Sequence, residues 1–176
     1  MKKSILLLTF VLISNLIFAQ QSVFDKFDGM DDVKSVLVTK KMFQMMANVK
    51  MDANDKETQQ FITLIKKLNS LKVFTTSNPK IKADLKATSE KYLVTAGLEE
   101  LMRVKDGSQN IKILVKSTAK ESQIKELLMF IEGANMKDAS TIVLSLTGNF
   151  NLDEISMLTE KMNLPGGDDL KKASKK

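Results

Sequence analysis

From Val33 onward the apolar positions recur first with helical spacing and then with the two-residue spacing of strands. Val33 to Thr39 (VKSVLVT) is short and rich in β-branched residues, which predicts a first strand. Met42, Met45, Met46 and Val49 follow at i, i+3, i+4 and i+7, predicting a helix that buries this mostly methionine face. Asp52 to Asp55 break that helix and offer N-caps for the next one. Phe61, Leu64, Ile65, Leu68 and Leu71 then form one apolar face, with Lys66 and Lys67 turned away. Lys72 to Thr76 reads as a strand. Ser77-Asn78-Pro79 is a start signal for a helix with Ile81, Leu85, Thr88 and Tyr92 on its inner side, ending near Gly97. Upstream, Phe24 and Phe27 are spaced for one face of a short helical turn.

After Gly97 four strands are predicted, Leu98–Lys105, Ile111–Lys116, Ile124–Ile131 and Thr141–Thr147, joined by short polar loops as an antiparallel meander. Asn151 with Glu154 is a capping-box variant opening a last helix on Leu152, Ile155, Leu158 and Met162. The order implies an α+β fold: a single domain with a largely antiparallel sheet and about four helices packed on it. One face of the meander is continuously apolar, through Leu98, Met102, Val104, Ile111, Ile113, Val115, Leu127, Met129, Ile131, Ile142, Leu144 and Leu146. The other carries Leu101, Leu114, Leu128, Phe130 and Val143 among charged and hydroxyl neighbours, an apolar centre with a polar rim. These five are the candidate interface. It binds a partner or a second copy if open, and is core if a helix folds over it.

The N-terminus modifies this picture. Lys2 and Lys3 precede an apolar stretch from Ile5 to Phe18, with Ala19 at a plausible cleavage point. At ~1.5 Å per residue this stretch is about 20 Å long, short of the ~30 Å hydrocarbon core. It reads as a signal peptide over 1–19, ahead of a domain over 20–167 and a disordered basic tail over 168–176. The expected location is therefore exported, periplasmic or extracellular, and soluble after cleavage, with no transmembrane segment in the mature chain.

The chain has 176 residues, 43% of them hydrophobic and 27% charged, as a folded protein requires. It has no His, Cys or Trp, which removes Ser-His-Asp and Cys-His nucleophiles, thiolate or imidazole zinc sites and disulfides. No cofactor is expected. Of the formal charge of +6, the leader lysines carry two and the tail two, which leaves +2 for residues 20–167. That near-neutral body contains one arginine, Arg103, and does not suit nucleic acid.

A leader ending in Ala-Gln, then FDKFDGMDDVKSVLVTKKMFQMM, then a strand-rich second half, resembles an exported bacterial family catalogued as domain-of-unknown-function family 4252. The resemblance implies an envelope location and supplies no activity, cofactor or site residues. Some members carry a lipid-attachment cysteine, which this chain lacks.

Three constellations could carry chemistry. Met42, Met45, Met46 and Met51, with Met30 upstream, offer thioethers for a soft metal, the basis of a Met-based metal carrier. Asp25, Asp28, Asp31 and Asp32 around Gly29 lack the spacing of a calcium loop and suit capping. Carboxylate catalysis survives the missing His and Cys, but adjacent Glu99 and Glu100 point to opposite faces, and Glu126 and Glu132 stand about 20 Å apart along one strand. The leading expectation is an exported envelope protein that is a non-catalytic binding or interaction domain, with an unknown envelope protein or itself as partner. A carboxylate-dependent hydrolase and a Met-based metal carrier are the alternatives.

Overall fold

The computed structural model describes residues 23–48, 55–118, 123–133 and 140–167. The expected signal peptide over 1–19, the expected tail over 168–176, Val49, Met51 and the Asp52–Asn54 part of the predicted break lie outside them.

Local capping chemistry sets the element boundaries. The Thr39 hydroxyl closes strand β1 (Lys34–Thr39) and accepts the Met42 N–H, which opens α1 (Lys40–Ala47). Asp55 accepts the N–H groups of Glu57 and Thr58 to open α2 (Lys56–Lys67). Leu68 both ends α2 and begins β2 (Leu68–Thr76), with no loop between. Asn78 accepts from Lys80 and Ile81, Pro79 fills the first turn of α3 (Pro79–Ala96), and Gly97 at φ 64° closes it in the left-handed conformation. Strands β3 (Glu99–Asp106), β4 (Gln109–Ser117), β5 (Ile124–Glu132) and β6 (Thr141–Phe150) follow. Glu154 accepts the Asn151 N–H at 2.9 Å and starts α4 (Leu152–Lys161).

The fold is α+β, a six-stranded sheet in the order β1-β2-β6-β5-β4-β3 with every neighbouring pair antiparallel. The meander β3 to β6 is as the sequence predicts, and β2 docks on its last strand. Where β2 begins, Leu68 lies opposite Gly148. A Cβ at Gly148 would stand 2.7 Å from the Lys67 carbonyl oxygen and 3.0 Å from the Leu68 Cα. The direct helix-to-strand passage is possible there because residue 148 has no side chain.

Helices cover both faces. On the first, Phe43 of α1, Leu64 and Ile65 of α2, and Ile155 and Leu158 of α4 pack on Leu71, Val73, Ile113, Leu127, Met129, Leu144 and Leu146. On the second, Leu85, Tyr92 and Ala96 of α3, with Phe24 and Phe27 of a short N-terminal 3-10 turn (Asp25–Phe27), pack on Phe74, Leu114, Leu128, Phe130 and Val143.

Four sequence expectations need correction. Leu68 and Leu71 belong to β2, not to the preceding helix: apolar residues buried on a strand can continue a helical spacing by coincidence. In α1 the aromatic ring takes the core position, so Phe43 and Ala47 are buried, Met46 is half-buried, and Met42 and Met45 stand exposed at 49% and 58%. Leu98 lies in the second core and not the first, because a bulge at Leu101 reverses the alternation between Glu100 and Met102. The stripe of Leu114, Leu128, Phe130 and Val143 is not open, since α3 and the N-terminal turn cover it. Leu101 alone of the five is exposed, on the bulge of edge strand β3.

Candidate functional site

On the α3 face the register stacks the sheet into rows. The rows beneath α3 are apolar at their centre, with Phe74, Val143 and Phe130 in one and Leu128 and Leu114 in the next. The row at the end reached by the last turns of α3 is polar throughout: Thr39, Ser70, Thr147, Glu126 and Lys116 are successive partners across β1, β2, β6, β5 and β4. Ser70 and Thr147 share a hydrogen bond of 2.7 Å, and the Lys116 ammonium donates to the Ala96 carbonyl at the C-terminus of α3 at 2.8 Å.

Part of this row floors a groove of about 650 Å³, within the size range of ligand sites. Val23, Phe24, Asp25 and Asp28 form one wall, and Leu37, Thr39 and Lys40 another. Asn69, Ser70, Lys72, Ser145, Thr147, Glu126 and Tyr92 complete it. Lys72 is paired with Asp25, which ties the N-terminal wall to the sheet. Phe24 packs edge-on against Tyr92 with ring centroids 5.5 Å apart.

Glu126 is the chemically distinctive group. Burial pushes its carboxyl above the usual carboxylate range, while the Tyr92 O–H donating at 2.7 Å and the nearby Lys116 charge only partly offset that push. Burial likewise holds the Tyr92 hydroxyl neutral well above its ordinary value, and the Glu126 acceptor adds to this. The pair is thus a neutral phenol donating to a half-buried carboxyl whose ionisation burial disfavours.

A carboxyl raised in the folded state binds more protons folded than unfolded, so its contribution to stability falls as pH rises. Glu126→Gln keeps an oxygen to accept from Tyr92 and removes the ionisation. Its melting temperature should equal the parent's near pH 4 and match or exceed it at pH 7. A variant melting several degrees below the parent at pH 7 would show that the charge is stabilising.

A family model described as "Domain of unknown function (DUF4252)" matches residues 27–158, three quarters of the chain. The chain belongs to the DUF4252 family. No curated protein and no solved structure matches it.

Within this DUF4252 chain the sequence-predicted groups are dispersed. Glu132 sits at the far end of β5 from Glu126 and accepts from Lys86 at 3.0 Å and Asn110 at 3.1 Å. Burial alone would raise its carboxyl, but these bonds hold it below the usual range. Glu100 is exposed and forked by Arg103. The N-terminal aspartates act as tethers: Asp28 accepts the Ser35 hydroxyl and Asp32 the Asn78 amide, each at 2.7 Å. Among the described residues no three His, Cys, Asp or Glu gather as metal ligands, and no helix is long and apolar enough to cross a membrane. The sequence reading missed the polar row and its Tyr92–Glu126 bond. Tyr92 is legible as an inner residue of α3 and Glu126 as a polar position of β5. Their meeting depends on α3 crossing the sheet, which has no local signal.

Proposed function

We propose that this DUF4252 protein is an exported, non-catalytic binding domain of the bacterial envelope, and that it engages a polypeptide segment of another envelope protein in the groove beside Tyr92 and Glu126. The leader pattern of residues 1–19 supports export. The observation that carries the binding reading is the polar row itself: α3 covers the apolar centre of its face and leaves hydroxyls and a carboxyl on the floor of a groove that the Asn69 amide also lines. These groups both donate and accept hydrogen bonds, and Phe24 and Leu37 add apolar wall, a mixture suited to peptide groups with interspersed side chains.

The reading is tested by placing a photo-crosslinking residue at exposed Asn69, on the groove, and separately at exposed Lys105 on β3, in the native host. A discrete adduct from position 69 that weakens in the Glu126→Gln background, with none from position 105, is expected. Equal labelling at both positions, or an adduct indifferent to Glu126, would overturn the groove as the binding surface.

A further inference from the structure

The two outer strands of the sheet are protected unequally. β3 carries a bulge at Leu101 and five charged residues, Glu99, Glu100, Arg103, Lys105 and Asp106, the devices that stop one edge from pairing with another. β1, at the opposite end of the sheet, has the sequence KSVLVT, with no charge after Lys34 and no described bulge in its pairing with β2. At its centre Val36 and Leu37 point to opposite faces, and they are 50% and 41% exposed. On the Val36 side, α1 adds the exposed Met42 and Met45.

We propose that β1 pairs with β1 of a second copy of this chain, antiparallel about a two-fold axis through Val36, so that the two six-stranded sheets become one. The alternation of side chains requires partners of equal parity, so the axis passes through a residue. An axis through Leu37 sets Lys34 against Lys40 of the copy. An axis through Val36 brings Asp31 and Asp32, just before β1 of each copy, to the end of the other copy's β1, where Lys40 and Lys41 open α1, so that an acidic end lies beside a basic one. It also puts Val36 against Val36 and Ser35 against Leu37. Because both copies use the same edge and β3 is protected, the pairing closes at two chains and does not propagate.

The chain contains no cysteine, so a single introduced thiol reports the register. Residues paired across an antiparallel ladder have Cα atoms ~4.5–5.5 Å apart, within the ~4.4–6.8 Å that a disulfide spans. The parent should sediment as a dimer and Val36→Lys as a folded monomer. Val36→Cys should oxidise to a covalent dimer on the order of a hundredfold faster than Val94→Cys, an exposed position on α3 that reports chance collision. Ser35→Cys and Leu37→Cys should crosslink when mixed and poorly when alone. A monomeric parent, or a Val36→Cys no faster than Val94→Cys, overturns the proposal. A Leu37→Cys that crosslinks alone overturns the axis. Val36 is absent from the groove lining, so the Val36→Lys and Val36→Cys results do not depend on a groove partner.

Discussion

Replacing Leu114 by Glu should remove folded protein from the soluble fraction and leave no association to measure. Leu114 is 3% exposed on the α3 face, with Leu128 paired beside it on β5. A carboxylate there loses its water, and an effective penalty of several kcal/mol per buried ion remains after relaxation. The lost leucine packing adds about 2–5 kcal/mol. Against a total stability of roughly 5–15 kcal/mol for a domain of this kind, the fold does not survive. Leu114→Met, which conserves volume, should cost less than about 1.5 kcal/mol and serves as the control. Soluble yield and the denaturant midpoint check both. A Leu114→Glu protein with a parental midpoint would mean that α3 does not cover this face.

The second large effect is at Phe74. Its ring is fully buried and lies 6.2 Å, centroid to centroid, from that of Phe27, itself fully buried in the N-terminal turn. Phe74→Ala should cost about 3–5 kcal/mol by denaturant unfolding. Because the two rings contact each other, the double variant Phe27→Ala/Phe74→Ala should lose less than the sum of the single losses, by about 1 kcal/mol. Strict additivity would indicate that the N-terminal turn contributes to stability independently of β2. A Phe74→Ala cost under about 1 kcal/mol would mean that the second core is loosely formed.

What could be read in the sequence follows the range of the interactions involved. Asn78-Pro79 and Gly97 bracket α3 because capping is a matter of adjacent residues, and the meander is legible because its turns are short. Leu68 and Leu71 mislead because α2 passes into β2 without a polar break to mark the change of period. The methionines of α1 mislead for another reason: Phe43 and Ala47 occupy an adjacent stripe of the same helix, and the sheet decides which stripe is buried. The stripe through Leu114 and Phe130 is correctly composed as an apolar centre, but nothing local says that α3 lies on it. The groove was the least legible feature. Thr39, Ser70, Thr147, Glu126 and Lys116 are ordinary polar positions on five strands, and they form a row only once the register of every pair is fixed.

The position of β6 between β2 and β5 has a consequence for the order in which the chain can assemble. Strands β3 to β5 find their neighbours within a few residues, so that hairpin ladder can close while the chain is still being made. β2 is synthesised earlier, yet its inner neighbour β6 begins only at Thr141. Until β6 emerges, β1 and β2 form a two-stranded ribbon, a unit of marginal stability on its own in water. Its apolar residues Leu71 and Val73 then lack the Leu144 and Leu146 strand that lies beside them in the finished sheet. The earliest-made strands of the sheet are therefore the last to be joined to it, and a nascent chain presents an open apolar strand from the completion of β2 at Thr76 until β6 begins at Thr141.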